Sequence, residues 1–100
     1  MRNLLSKTIL KSIPKLYATE DQNDPLCYIK LFTPDSNFTW YIIEVSIDGD
    51  MCYGYVQGLE NELGYFSLNE LKEIRGAFGL PVEIDKSFKP TKLSIIKNTT

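Results

Sequence analysis

The sequence predicts an α+β fold: an antiparallel three- to four-stranded sheet, arranged as a meander, with two short helices packed on it. Three observations point there. Apolar residues alternate with period two through the centre of the chain; turn-forming residues interrupt that alternation at short intervals; and a capped stretch of helical period follows it. One hundred residues with 43% hydrophobic and 24% charged content suit a single core, and we expect one domain over residues 1–100. Within it, residues 1–16 form an N-terminal helix and linker, and residues 26–96 carry the sheet and a capped helix over 67–78.

The first element is a helix over residues 3–12. Leu4, Leu5, Thr8, Ile9 and Ser12 share one face, Lys7 and Lys11 lie on another, and Pro14 ends it. A polar loop follows over residues 19–25. Residues 26–33 then alternate, with Cys27, Ile29 and Leu31 on one side and Leu26, Tyr28, Lys30 and Phe32 on the other. Pro34-Asp35-Ser36-Asn37 supplies a turn. The next strand, over 38–47, sets Tyr41, Ile43, Val45 and Ile47 against Phe38, Trp40, Ile42, Glu44 and Ser46. Asp48-Gly49-Asp50 makes a second turn, residues 51–57 a third strand, and residues 63–66 a fourth. On this register Tyr28, Phe32, Phe38, Trp40, Tyr53 and Tyr55 share a sheet face.

Ser67-Leu68-Asn69-Glu70 has the form of a capping box, in which the serine hydroxyl accepts from the backbone of the glutamate three residues on, and Phe66 with Leu71 suits a hydrophobic staple. Leu68, Leu71, Ile74 and Phe78 make the expected buried stripe of a helix that Gly79 and Pro81 terminate. Residues 82–84 and 93–96 are expected to be short edge strands or extended segments, and the Thr99-Thr100 end to fray.

Composition narrows the function. The chain has no histidine, which removes the commonest general base at neutral pH and the Ser–His and Cys–His nucleophilic pairs. The six glycines are scattered and none opens a helix as a phosphate-binding loop would. Cys27 and Cys52 are expected to be reduced, partly buried thiols. Asp48 with Asp50, or Glu60 with Glu62, sit where turns and solvated connections account for them. No cofactor and no metal is expected. The longest apolar stretch falls far short of a membrane span and no signal-peptide pattern opens the chain, so a cytoplasmic location is expected.

Net charge is −2, unevenly placed. All 13 acids lie between positions 17 and 85, with Lys30, Lys72 and Arg75 as the only bases there, which gives that body −10; the two ends carry the remaining eight bases and no acid. An acidic body suits a basic partner. The basic ends, with Lys7, Lys11, Lys15, Lys89 and Lys92, suit phosphate contacts, with tyrosines stacking on bases.

Three blocks in order carry a family resemblance: Leu31-Phe32-Thr33-Pro34-Asp35 with Thr39-Trp40; Glu62-Leu63-Gly64-Tyr65-Phe66-Ser67-Leu68 with Glu70-Leu71; and Arg75-Gly76 with Gly79-Leu80-Pro81-Val82-Glu83 and Asp85. Over roughly residues 26–94 the chain resembles domain of unknown function family 2958, whose members resemble accessory genes of plasmids, phages and other mobile elements. It departs from the family pattern at Tyr53-Gly54-Tyr55-Val56-Gln57, where the family tends to have Phe-Gly-Leu followed by an acid. The family has no assigned activity. The resemblance and the missing catalytic groups together predict a non-catalytic, protein-binding accessory factor, with an inhibitor of a defence nuclease such as that of CRISPR as the case in view. Trp40, Glu44, Tyr53, Tyr55, Glu60, Glu62, Arg75 and Asp85 are the candidate partner-binding residues. Nucleic-acid binding through the basic ends is the alternative, and an enzyme using Glu62, Arg75 and Asp85 the third reading.

Overall fold

A computed structural model describes residues 4–99. Its elements are α1 (Lys7–Ser12), β1 (Leu26–Cys27), β2 (Ile29–Phe32), β3 (Thr39–Val45), β4 (Met51–Gln57), β5 (Asn61–Ser67), α2 (Leu68–Leu71), β6 (Glu83–Ile84), β7 (Thr91–Lys92) and α3 (Leu93–Asn98). The predicted meander is present as β2 to β5. The sheet is larger than expected, because β6 adds a fifth strand in the order β5-β4-β3-β2-β6, and β1 pairs separately with β7. The strand pairings are antiparallel, and one isolated parallel bridge joins Lys15 to Val45 of β3.

Both faces of the sheet are apolar, and each has its own cover. On one face Leu31, Trp40, Ile42, Val45 and Cys52 pack with Leu5, Ile13, Leu68 and Leu71, so α1 and α2 lie on that side. On the other, Cys27, Tyr41, Ile43 and Tyr55 pack with Leu93 and Ile96 of α3. This corrects the expected strand over 93–96. Leu93 and Ile96 are three residues apart, which one helical face buries together, and the Asp24 carboxylate holds the first turn by accepting from Ser94 N at 2.9 Å and Ser94 Oγ at 2.7 Å. Among the described residues there are thus three helices rather than two.

The expected alternation fails at two places, and in each the backbone shows why. At Tyr28 the first strand breaks: Cys27 faces Tyr41 while Ile29 and Leu31 turn to the Trp40 side, so Cys27 does not share a face with them. In β3 a bulge inserts one residue between Ile42, opposite Gly54, and Glu44, opposite Tyr53. Ile43 and Glu44 therefore point to the same side, and Val45 joins Trp40 and Ile42. The expected single aromatic face is split accordingly. Phe38 stacks on Trp40 on one side, while Tyr41, Tyr53, Tyr55 and Tyr65 occupy the other. Gly54 is part of the bulge, since a Cβ there would fall 1.8 Å from the Tyr41 carbonyl oxygen.

The capped helix is much shorter than 67–78. Ser67 Oγ does accept from Glu70 N at 3.3 Å, and Asp50 reinforces the start by accepting from Asn69 N at 2.8 Å and from Ser67 Oγ. The helix nevertheless stops at Leu71, and residues 72–81 double back: Arg75 bridges to Pro81 and Gly76 N donates to Leu80 O at 2.8 Å. Asp35, from the β2–β3 turn, competes for this segment by accepting from Phe78 N and Leu80 N at 2.6 and 3.1 Å. Gly76 packs against that carboxylate so closely that a Cβ would lie 1.5 Å from Asp35 Oδ1. Two blocks of the resemblance therefore meet through Asp35, and Phe78, expected in the core, is 87% exposed. At the chain start the helix begins at Lys7, with Ser6 Oγ accepting from Ile9 N; Asn3 lies outside the described residues. At the end, Thr99 follows α3 and Thr100 also lies outside them.

A tyrosine groove beside an open sheet edge

Glu44 is the best-defined polar group on the tyrosine face. Its side of β3 is fixed by the bulge, and it is only 3% exposed. Its carboxylate accepts from Tyr17 N at 2.8 Å, Thr19 N at 2.8 Å and Thr19 Oγ1 at 2.6 Å. A buried carboxylate is tolerated when hydrogen bonds replace its water, and these three do so. They also pin the chain where it passes from the α1 side of the sheet to the α3 side. Pro14 O accepts from Val45 N on the way, and Tyr17 adopts φ 71, a left-handed conformation that a non-glycine residue takes at a cost.

Pinned in this way, residues 17–25 form one wall of a groove of about 350 Å³. Glu44, Tyr53, Leu63 and Tyr65 form the floor and the wall opposite, and Leu93 and Lys97 of α3 close one end. Register explains the row: Glu44 lies opposite Tyr53, and Tyr53 opposite Tyr65. The Tyr53 and Tyr65 rings sit 5.1 Å apart, tilted by 51°. Tyr65 stays 54% exposed, Leu63 40% and Tyr17 61%. Desolvation, a hydrogen bond with the Tyr17 hydroxyl and the nearby Glu44 charge together hold the Tyr65 phenol above its ordinary pKa. Beyond Tyr17 the apolar surface continues over Leu16 and the exposed Ile47.

The groove runs beside a free edge. β5 is the last strand of the sheet, seven residues long, and it contains no proline, lysine or bulge. Leu68 N donates to Asp50 O, and Gly58 N to Glu60 O, at the two ends of the β4–β5 ladder. Antiparallel ladders alternate, so Glu62, Gly64 and Phe66 direct their backbone groups to β4, while Asn61, Leu63, Tyr65 and Ser67 direct theirs outward.

The eight candidate partner-binding residues are dispersed. Tyr53 and Glu44 belong to the groove, with Glu44 occupied by the loop. Trp40 and Tyr55 are 6% exposed each and serve as core, so they offer a partner little surface. Glu60 and Glu62 are exposed at the start of the free edge. Arg75 Nη1 donates to the Lys72 and Ile74 carbonyls at 2.8 Å, in the folded-back segment. Asp85 follows β6 at the opposite edge of the sheet, accepts from Ser87 and lies 3.8 Å from Lys30 Nζ. Glu62, Arg75 and Asp85 therefore do not form one site. The basic ends are divided too: Lys7 and Lys11 lie on α1 over the Trp40 face, while Lys92 opens α3 over the Tyr41 face. Among the described residues no three Cys, Asp or Glu side chains are grouped to hold a metal, and no helix is long and apolar enough to cross a membrane.

Tyr65, Leu63 and Tyr17 were not among the expected site residues. The sequence signal for Tyr65 was its place opposite Tyr53 once β5 is extended to seven residues; for Tyr17, in a loop, there was none.

The fold and its groove define a small α+β protein with a half-exposed tyrosine surface beside a sheet edge. The family described as "Protein of unknown function (DUF2958)" matches residues 4–98, and the chain belongs to it. No curated protein and no solved structure matches it.

Proposed function

We propose that the protein is a non-catalytic binding factor whose tyrosine groove engages a protein partner. The observation that carries this reading is the half-exposed row of Tyr17, Leu63 and Tyr65 beside Tyr53, held open by the loop that Glu44 pins. Tyrosines supply large contact area at low entropic cost, which is why they are enriched in interfaces. The acidic body, with Glu60 and Glu62 at the groove's edge strand and Glu20 on its wall, favours a basic partner by steering and by rim contacts. A nuclease of a host defence system, met by a protein of a mobile element, is a partner of that kind. Nucleic-acid binding through the basic ends has less in its favour, because those ends flank opposite faces of the sheet.

The test is affinity capture of the tagged protein from host lysate, with and without nuclease treatment, run beside a Tyr53→Ser/Tyr65→Ser variant and a Phe78→Ser control. A protein retained by wild type and by the control but lost from the groove variant supports the reading. A partner held equally by all three, or released by nuclease, removes it.

A further inference from the structure

We propose that the free edge of β5 pairs with β5 of a second copy, in antiparallel register centred on Gly64, to give a two-fold symmetric dimer with one continuous ten-stranded sheet. This goes beyond the partner-binding role and rests on a different observation, the outward backbone groups of Asn61, Leu63, Tyr65 and Ser67.

Natural sheets blunt a long free edge with charged side chains, lysine above all, with a proline, a bulge or a very short strand. The opposite edge obeys, since β6 has two residues. β5 carries a single charge, Glu62, near one end, and otherwise has seven residues with a regular register along its whole length. Leu63 and Tyr65 on it remain about half exposed.

The strand is complementary to itself in one register. With Gly64 opposite Gly64 of the second copy, Leu63 faces Tyr65 and Asn61 faces Ser67, each twice by symmetry. These are the residues whose N–H and C=O point outward, so all of those groups along the strand find partners. Leu63 and Tyr65 then make cross-strand apolar pairs on the groove side. Gly64 falls at a non-hydrogen-bonded position, where the two strands approach to about 4.5 Å between Cα atoms. The space around it is open, with nothing within 4 Å of a Cβ built there. Charge favours this register as well. Each Glu62 faces Phe66, and the two Glu62 residues are separated by four residue spacings, about 13 Å, beyond a Debye length of about 8 Å. Sliding to centre on Glu62 would bring the two carboxylates opposite one another.

The register makes the test specific. Gly64→Cys places two thiols within disulfide distance in the dimer, whereas Glu62→Cys places them about 13 Å apart. Cys27 and Cys52 are fully buried and do not compete. With oxidised glutathione as the electron acceptor, Gly64→Cys is expected to convert to a disulfide-linked dimer at least tenfold faster than Glu62→Cys. Sedimentation of the wild type across about 1–500 µM is expected to show the mass doubling with concentration. Leu63→Pro should abolish that doubling, because its N–H points outward and its loss leaves the β4 ladder intact. Leu63→Lys, which leaves the backbone unrestricted, should weaken dimerisation at least tenfold. A wild type that stays monomeric throughout, or equal crosslinking of the two cysteine variants, overturns the proposal.

Discussion

Replacing Glu44 by glutamine tests the pinned loop that shapes the groove. The carboxylate takes three donors, two of them backbone N–H groups of Tyr17 and Thr19. A glutamine keeps one oxygen for one side and turns an NH2 group toward the other, so a buried N–H loses its acceptor and the remaining bonds lose their charge. Hydrogen bonds to charged groups contribute roughly 1.5–3 kcal/mol each, so Glu44→Gln is expected to cost about 2 kcal/mol. For a domain of this size each kcal/mol moves Tm by roughly 4–8 °C, which places the expected fall at about 8–16 °C. If the loop opens before the rest, the same energy appears locally as about thirtyfold faster hydrogen exchange at the Tyr17 and Thr19 amides. Thermal denaturation followed by circular dichroism, with exchange followed by NMR, measures both. A Tm within about 2 °C of wild type together with unchanged exchange at those two amides would refute the role assigned to Glu44.

Three further outcomes follow from the same structure. Burial pushes the Cys27 and Cys52 thiols up to about 12, so native protein at pH 8 should resist Ellman's reagent and react at both sites in guanidinium. Because the unfolded thiols release protons from about pH 9 and the folded ones do not, the denaturation midpoint should fall as pH rises from 9 toward 12; a flat midpoint there would contradict that burial. Asp24 is held below its ordinary value first by its hydrogen bond from the Ser94 hydroxyl, so the tether on α3 should be intact above pH 3.8 and be lost as pH falls further. An acid titration of the Ser94 amide shift should show that step, and Asp24→Asn should lack it. Gly76→Ala should displace Asp35 and free the Phe78 and Leu80 amides for exchange, at a cost of about 1–3 kcal/mol; wild-type exchange at both would show that the folded-back segment does not depend on that contact.

What the sequence disclosed follows from the range of the interactions. The β2–β5 meander was legible because turn residues and period-two patterning are local, and the Ser67 cap because a capping box spans four residues. The bulge at Ile43 was not, since apolar residues run on through it and only pairing with Gly54 and Tyr53 reveals the extra residue. The helix predicted over 67–78 was cut short by Asp35, more than 40 positions away in sequence, whose carboxylate takes the Phe78 and Leu80 amides. The C-terminal strand prediction failed for a related reason, because Asp24 supplies the cap of α3 from 70 residues away. Of the candidate site, Glu44, Tyr53 and the acids Glu60 and Glu62 beside the free edge were named from sequence. Trp40 is buried under α1 and α2 and Tyr55 under α3, and where those helices dock is not written in the local pattern.

The tyrosine groove is the proposed binding surface. NMR spectra of the isotope-labelled protein, recorded with and without the partner recovered by capture, test it most directly. Shifts are expected to concentrate at Tyr17, Glu44, Tyr53, Leu63 and Tyr65, with Lys7, Lys11 and residues 75–81 unmoved. Shifts confined to the lysines of α1 and the C-terminal segment, or to the Arg75 loop, with the groove silent, would contradict it.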